Sequence, residues 1–388
     1  MQNIYQVNIS NNEDLINICK KIGTDLRALS FLEPKRKIFH FYAENVDFRA
    51  ASFLKQEMLS RGGETIVAKH VIDAKTDYSD VLIMGTKTQI KNLISKLKTM
   101  DCWGLKELRE NLEIIFRNIF VNEWKLSFSN GRELILNDEA KLMAIINLTP
   151  DSFFEGSRFD ENNILKTAEN FLNSGAVILD LGGESTRPGA VKISESEELN
   201  RILKPLKILR NEFQKTIISV DTYKSKVAEA VLSEGADIIN DISGFDFDEK
   251  IPDCVSKFNA AYVLTYFLPH EMELKETNLL SEMNSYFKTK LNILEKSSLK
   301  KENIILDPGL GFGKSKNDNL MILKNISSLK NFGLPILVGH SRKRFTENNL
   351  FSTVAVSSYL HDKVQILRVH DVKENYNALK IMNLLKNS

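Results

Sequence analysis

From about residue 142 onward one pattern recurs along the chain: a short apolar run, a cluster of glycine and functional polar residues, then a longer segment with apolar positions at helical spacing. The runs are, in order, LMAIINLTPDSF, AVILDLGGESTRPG, TIISVDTYKS, ADIINDISG, AYVLTYFLPH, NIILDPGLGFGK, PILVGHSRKR and VQILRVHDV. Buried parallel strands read as short, β-branched apolar stretches bounded by turn signals, so the pattern predicts eight of them. Between them NILKTAENFLNSGA (163–176) and KSKVAEAVLSEGA (224–236) carry helical spacing and a glycine suited to a helix C-cap.

Eight strands alternating with helices over about 245 residues match a (β/α)8 TIM barrel, and right-handed crossovers place all strand C-termini at one face. A doubly wound open sheet satisfies the same alternation. Its dinucleotide-binding form, however, carries G-x-G-x-x-G after the first strand, and that motif is missing here. The barrel is therefore the favoured reading, within the α/β class.

Ahead of the barrel, WKLSFSNGRELIL (124–136) alternates apolar and polar residues around Asn130-Gly131. This predicts a hairpin with a two-residue turn, placed to cover the open bottom of the barrel. Residues 1–122 read differently. KIFHFYAENV, ETIVAKHVI and SDVLIMGT are strand candidates, FRAASFLKQEMLSRGG and TQIKNLISKLKTM helical ones, and GLKELRENLEIIFRNIF (104–120) a connecting helix. They predict a small α+β N-terminal domain of unknown role, with residues 123–388 forming the barrel. Glu13, Asp14, Lys35, Arg36 and Lys37 read as solvated charges.

Composition narrows the function classes. The 388 residues are 43% hydrophobic and 27% charged, ordinary globular values that allow roughly two domains. A net charge of +1 gives no bulk electrostatic case for nucleic acid or an anionic membrane, so small-molecule partners are expected. Cys19, Cys102 and Cys254 are far apart and lack CxxC spacing, which argues against a disulfide framework or a zinc site. No apolar run approaches the roughly 18 residues needed to span a bilayer, and the N-terminus lacks signal-peptide character. The expectation is a cytoplasmic protein.

In barrel enzymes the active site is assembled at the C-terminal ends of the strands. Asn147, Asp180, Asp221, Asn240, Asp241, Asp307, Lys343, Arg368 and His370 all fall there. Singly, each can be an N-cap or a turn residue; together they make a site. Arg187, Lys343, Arg368 and His370 suit a phosphate or diphosphate, while Asp221, Asn240 and Asp307 can accept paired N–H donors from a nitrogen-rich heterocycle. Neither G-x-S-x-G, H-E-x-x-H nor a Walker loop is present. Asn147 can supply one oxygen to Mg2+, an ion that keeps waters and uses substrate phosphates. The parts fit a magnesium-assisted displacement of diphosphate.

The motifs NLTPDSFFEGSRF, DLGGESTRPGA, SVDTYKSKVAEAVLSEGADIINDISG, LDPGLGFGK, VGHSRK and RVHDV, in that order over about residues 124–386, resemble those of the dihydropteroate synthases. The resemblance implies condensation of 6-hydroxymethyl-7,8-dihydropterin diphosphate with p-aminobenzoate, releasing diphosphate and forming 7,8-dihydropteroate, a folate precursor. It implies that Asp221, Asn240, Asp307 and Lys343 hold the pterin, with Asp221, Asp307 and Lys343 as catalytic residues. Asn147, Arg187, Arg368 and His370 would face the diphosphate, Asn147 as the Mg2+ ligand. Phe153, Thr186, Arg187 and Pro188 would lie in two loops shaping the aminobenzoate pocket, with Phe312 packing beside them. It also implies an SN1-like course, a sulfonamide target and a homodimer.

The chain departs from the family at several points. Thr265, Tyr266 and Phe267 stand where a Met-His-Met type motif is usual, Arg344 replaces a Ser, Leu310 replaces an aromatic residue, and the 344–367 segment is short. Two other readings follow: a methyltetrahydrofolate:corrinoid methyltransferase, which gives no reason for STRPG, SRK and RVHD, and a pterin-binding regulatory relative without turnover. Retention of Asn147, Lys343, Arg368 and His370 favours catalysis, since a mere pterin binder has little need of a diphosphate clamp.

Overall fold

The computed structural model describes residues 4–129, 131–148, 154–155, 158–185, 191–268 and 279–386. The chain divides into two compact units, Met1–Arg117 and Asn118–Ser388, and the division falls at the last residue of the helix Leu105–Asn118.

In the first unit, β1 (Ile38–Asp47), β2 (Glu64–Val67) and β3 (Tyr78–Thr86) form an antiparallel sheet in the order β1-β3-β2. The helices Phe48–Ser60 and Lys87–Leu97 bury Ala50, Leu54, Met58, Ile90 and Leu93. Phe116 of the helix Leu105–Asn118 packs edge-on against Phe39 and Phe41. The helix Asn12–Ile22 was not expected from the periodicity. Its signal was local: Asn11 and Asp14 form a capping box, so Asp14 is a helix cap and not simply a solvated charge.

The second unit opens with the hairpin β4 (Glu123–Ser127) and β5 (Glu133–Asn137). Its turn is longer than the two residues expected. Phe128 N–H donates to Arg132, and Gly131 takes φ 79°, which is the pattern of a three-residue turn with glycine in the left-handed region. The hairpin covers the barrel bottom as expected: Leu126, Phe128, Leu134 and Leu136 pack into one cluster with interior residues Ile178, Ile238, Ile305 and Ile366.

The barrel strands are β6 (Lys141–Asn147), then, after the short antiparallel pair β7 (Phe154–Glu155) and β8 (Arg158–Phe159), β9 (Ala176–Gly182), β10 (Ile217–Asp221), β11 (Ile238–Asp241), β12 (Ala261–Thr265), β13 (Ile304–Asp307), β14 (Leu337–Val338) and β15 (Ile366–Val369). They are parallel, in the order β13-β12-β11-β10-β9-β6-β15-β14. A parallel bridge between Leu306 and Ile336, with Leu306 N–H donating to Pro335, joins β13 to the residue ahead of β14 and closes the ring. Both faces of each strand are covered, which is why the runs read as continuously apolar. Outward residues such as Leu179, Ile218, Ile239 and Leu306 pack on the surrounding helices in the larger core.

Candidate active site

Side-chain alternation along parallel strands decides which residues face the barrel interior. On β9, β11, β13 and β15 these are Ile178, Ile238, Ile305 and Ile366, and two positions further along the same strands, Asp180, Asn240, Asp307 and Arg368. Alternate strands supply the four members of a barrel layer. The sequence thus sets a polar layer above four isoleucines. The other strands place Met143, Ser219, Val263 and Leu337 between the two layers and Asp221 above them, in register with Asn240.

Within the polar layer Arg368 links two strands. Its Nε donates to Asp180 Oδ2 and its Nη2 to Asp221 Oδ2, both at 2.6 Å. Asn240 Nδ2 reaches Asp180 Oδ2 at 3.4 Å. Burial pushes the Asp221 carboxyl up to about 7 against the pull of Arg368, and the Asp180 carboxylate adds to the rise. Burial also opposes the Arg368 charge, but the two carboxylates outweigh it and raise the guanidinium further above its ordinary range. Asp307 is raised by burial, against the Gly309 N–H that donates to its Oδ1 at 2.8 Å and against Lys343. Lys343 is lowered by burial and by Arg368, and its ammonium stands 4.5 Å from the Phe312 ring centroid.

The structure thus gathers Asp221, Asn240, Asp307, Lys343 and Arg368 at one mouth. Asn147 ends β6 at its edge: a Cβ built on Gly182 would stand 3.8 Å from Asn147 Oδ1 and 3.9 Å from Asp221 Cβ, so the two side chains stand beside the same glycine. His370 follows β15, its Nδ1 3.0 Å from Ser341 Oγ. Phe312 packs on Phe267, ring centroids 6.2 Å apart, and Phe267 packs in turn on Phe247 at 5.3 Å. Phe153, Thr186, Arg187 and Pro188 lie outside the described residues.

The departures in the fifth strand resolve by facing. Tyr266 is buried on the outer side of the barrel, against Tyr286 and Phe287 of the helix Leu279–Leu294, so it does not line the mouth. Thr265 and Phe267 are its inward neighbours.

Three groups went unassigned in the sequence. Asp180 was collected among the strand-end residues but given no role; its partner Arg368 stands 188 positions away, beyond any local signal. Lys314 closes the LDPGLGFGK loop. Its ammonium donates to the carbonyls of Tyr266 at 2.9 Å, Gly309 at 2.8 Å and Phe312 at 3.2 Å, and burial pushes it down to about 7. Lys224 donates to Glu184 and Glu198, each at 2.5 Å, and to the Ile193 carbonyl at 2.9 Å.

A barrel with hydrogen-bond acceptors and cations converging at its mouth defines a class, and comparison with known proteins agrees with it. The family model described as pterin binding enzyme matches residues 143–370, and the chain belongs to that family. Within it the chain is similar to dihydropteroate synthases. It is 37% identical over 266 residues to the dihydropteroate synthase of Clostridium beijerinckii, covering 66% of this chain and 97% of that one. It is 31% identical over 391 residues to the bifunctional dihydropteroate synthase/dihydropteroate reductase of Helicobacter pylori, covering 97% of this chain and 98% of that one. The Xanthomonas albilineans dihydropteroate synthase structure with 4-aminobenzoic acid matches with a TM-score of 0.61 at 30% identity, over 68% of this chain and 98% of that one.

Proposed function

We propose that this chain is a dihydropteroate synthase: a transferase of folate biosynthesis that joins 6-hydroxymethyl-7,8-dihydropterin diphosphate to p-aminobenzoate. The observation that carries the reading is the polar layer at the mouth, where Asn240 and Asp307, with Asp221 above, offer acceptors to the paired N–H groups of a pterin beside Arg368 and Lys343. Asp221, Asn240, Asp307 and Lys343 bind and orient the ring. Arg368 and His370 face the diphosphate, whose charge grows as the C–O bond breaks and the electron pair leaves with it. The aminobenzoate nitrogen then bonds to the methylene carbon and loses a proton. Positioning and fixed charge supply the acceleration.

Among the described residues no group of three or more His, Cys, Asp or Glu could hold a metal. The amide oxygen of Asn147 beside the diphosphate position suits Mg2+, a hard cation that takes oxygen ligands and keeps waters. When bound, Mg2+ would neutralise diphosphate charge. Three free cysteines are in keeping with a reducing, cytoplasmic setting, and no helix among the described residues is long and apolar enough to cross a membrane. Exposed Phe351, Ile381, Leu384 and Leu385 on the last two helices offer apolar surface for a homodimer.

The test is direct. Purified protein with Mg2+, the pterin diphosphate and p-aminobenzoate is expected to release diphosphate and form dihydropteroate. Pterin binding without product would favour the regulatory reading.

A second activity has one specific observation behind it: the H. pylori relative named for both synthase and reductase spans nearly the whole chain, front unit included. On that reading the protein also reduces dihydropteroate. Dihydropteroate supplied with a reduced nicotinamide or flavin hydride donor should then consume the donor; no consumption would leave the synthase activity alone.

A further inference from the structure

We propose that Asp180 is a positioning residue on which Arg368 pivots: the pterin takes Asp221 from Arg368, whose Nε stays on Asp180 while one Nη group takes the second Asp180 oxygen and the other turns to the diphosphate. The inference rests on the pterin reading above and adds to it a role for Asp180 and a competition inside the pocket.

In this structure one guanidinium serves two carboxylates of neighbouring strands, Nε on Asp180 and Nη2 on Asp221. Asp221 Oδ2 is therefore already occupied by an N–H donor from a planar amidinium-like group. The amino-pyrimidinone edge of a pterin presents the same chemistry to the same oxygen. Ring and guanidinium compete for that oxygen, and where the ring takes it the contact between Arg368 and Asp221 breaks.

The released guanidinium has a place to stay. Asp180 is fully buried, and its second oxygen, Oδ1, has no hydrogen-bond partner among the described residues. A buried carboxylate oxygen left unpaired is costly, and a guanidinium meets a carboxylate best through two parallel hydrogen bonds. Pivoting about Nε lets Arg368 satisfy Oδ1 and still direct an Nη group outward. The pocket cation is thus moved from ring recognition to the diphosphate by the ring itself, and Asp180 keeps it from being lost to solvent.

The experiment is calorimetric titration with two probes, 6-hydroxymethyl-7,8-dihydropterin and its diphosphate. Wild type, Arg368→Gln, Asp180→Asn and the double variant are compared, with thermal melts to confirm folding. Arg368→Gln is expected to bind the bare pterin as tightly as wild type or tighter, because its competitor for Asp221 is gone. The same variant should bind the diphosphate about tenfold or more weakly, the loss of a charged hydrogen bond. Asp180→Asn should weaken the diphosphate in the wild-type background and have no further effect once Arg368 is Gln, since Asp180 acts through it. If Arg368→Gln weakens bare pterin and diphosphate alike, the pivot is wrong while the pterin reading stands; this arm needs no Asp180 variant to fold. Additive losses from the two substitutions would overturn the role of Asp180. Wild type that binds neither probe would overturn both.

Discussion

At Asp221 burial and ligand recognition pull in opposite directions. Burial favours the protonated acid and raises its pKa to about 7, whereas a pterin N–H donor needs the carboxylate. Pterin affinity is therefore expected to fall as the pH drops through about 7, by about tenfold per unit below it; titration of the binding constant between pH 6 and 8 checks this, and a flat profile would contradict it. The linkage to stability has the opposite sign. Folded Asp221 holds its proton more tightly than the unfolded chain, so this group lowers stability as pH rises from the ordinary carboxylate range towards 7. Asp221→Ala removes the acceptor and should weaken pterin binding by about 1–3 kcal/mol, read by the same titration.

Among the elements, the loop after β13 is fixed by backbone contact more than by side chains. Gly309 takes φ +63°, and a Cβ there would stand 2.1 Å from the Tyr266 carbonyl oxygen, so only glycine lets this loop close on the end of β12. The same residue's N–H orients Asp307, and Lys314 ties the loop to the Tyr266 carbonyl. Gly309→Ala is expected to destabilise the protein by about 1–3 kcal/mol and to weaken pterin binding, because Asp307 turns with the loop. Urea unfolding and pterin titration measure the two effects; full pterin affinity in a folded variant would show that Asp307 holds its orientation without Gly309. The run NIILDPGLGFGK displayed the strand and its glycines, but not that a carbonyl 43 positions earlier requires them.

For the whole molecule, the division into two compact units has a thermodynamic consequence. Each unit buries its own apolar residues, Leu54, Ile83 and Leu93 in the first and the barrel core in the second. Every described site residue lies in the second. Scanning calorimetry is expected to resolve two transitions, of which the pterin diphosphate raises only one, because a ligand stabilises the unit that binds it. A single transition that moves as a whole would show that the units unfold together.

The chain's apolar periodicity determined by itself that eight strands alternate with helices, that a hairpin precedes them, and that Asp221, Asn240, Asp307, Lys343 and Arg368 fall at strand ends. These features are legible because alternation and helical spacing follow from local backbone geometry. Only the closed barrel decided which strand-end residues share a layer, that Arg368 joins Asp180 to Asp221, and that Tyr266 faces the helices. Those outcomes depend on stagger and closure between segments up to 188 residues apart, and no local pattern carries that distance.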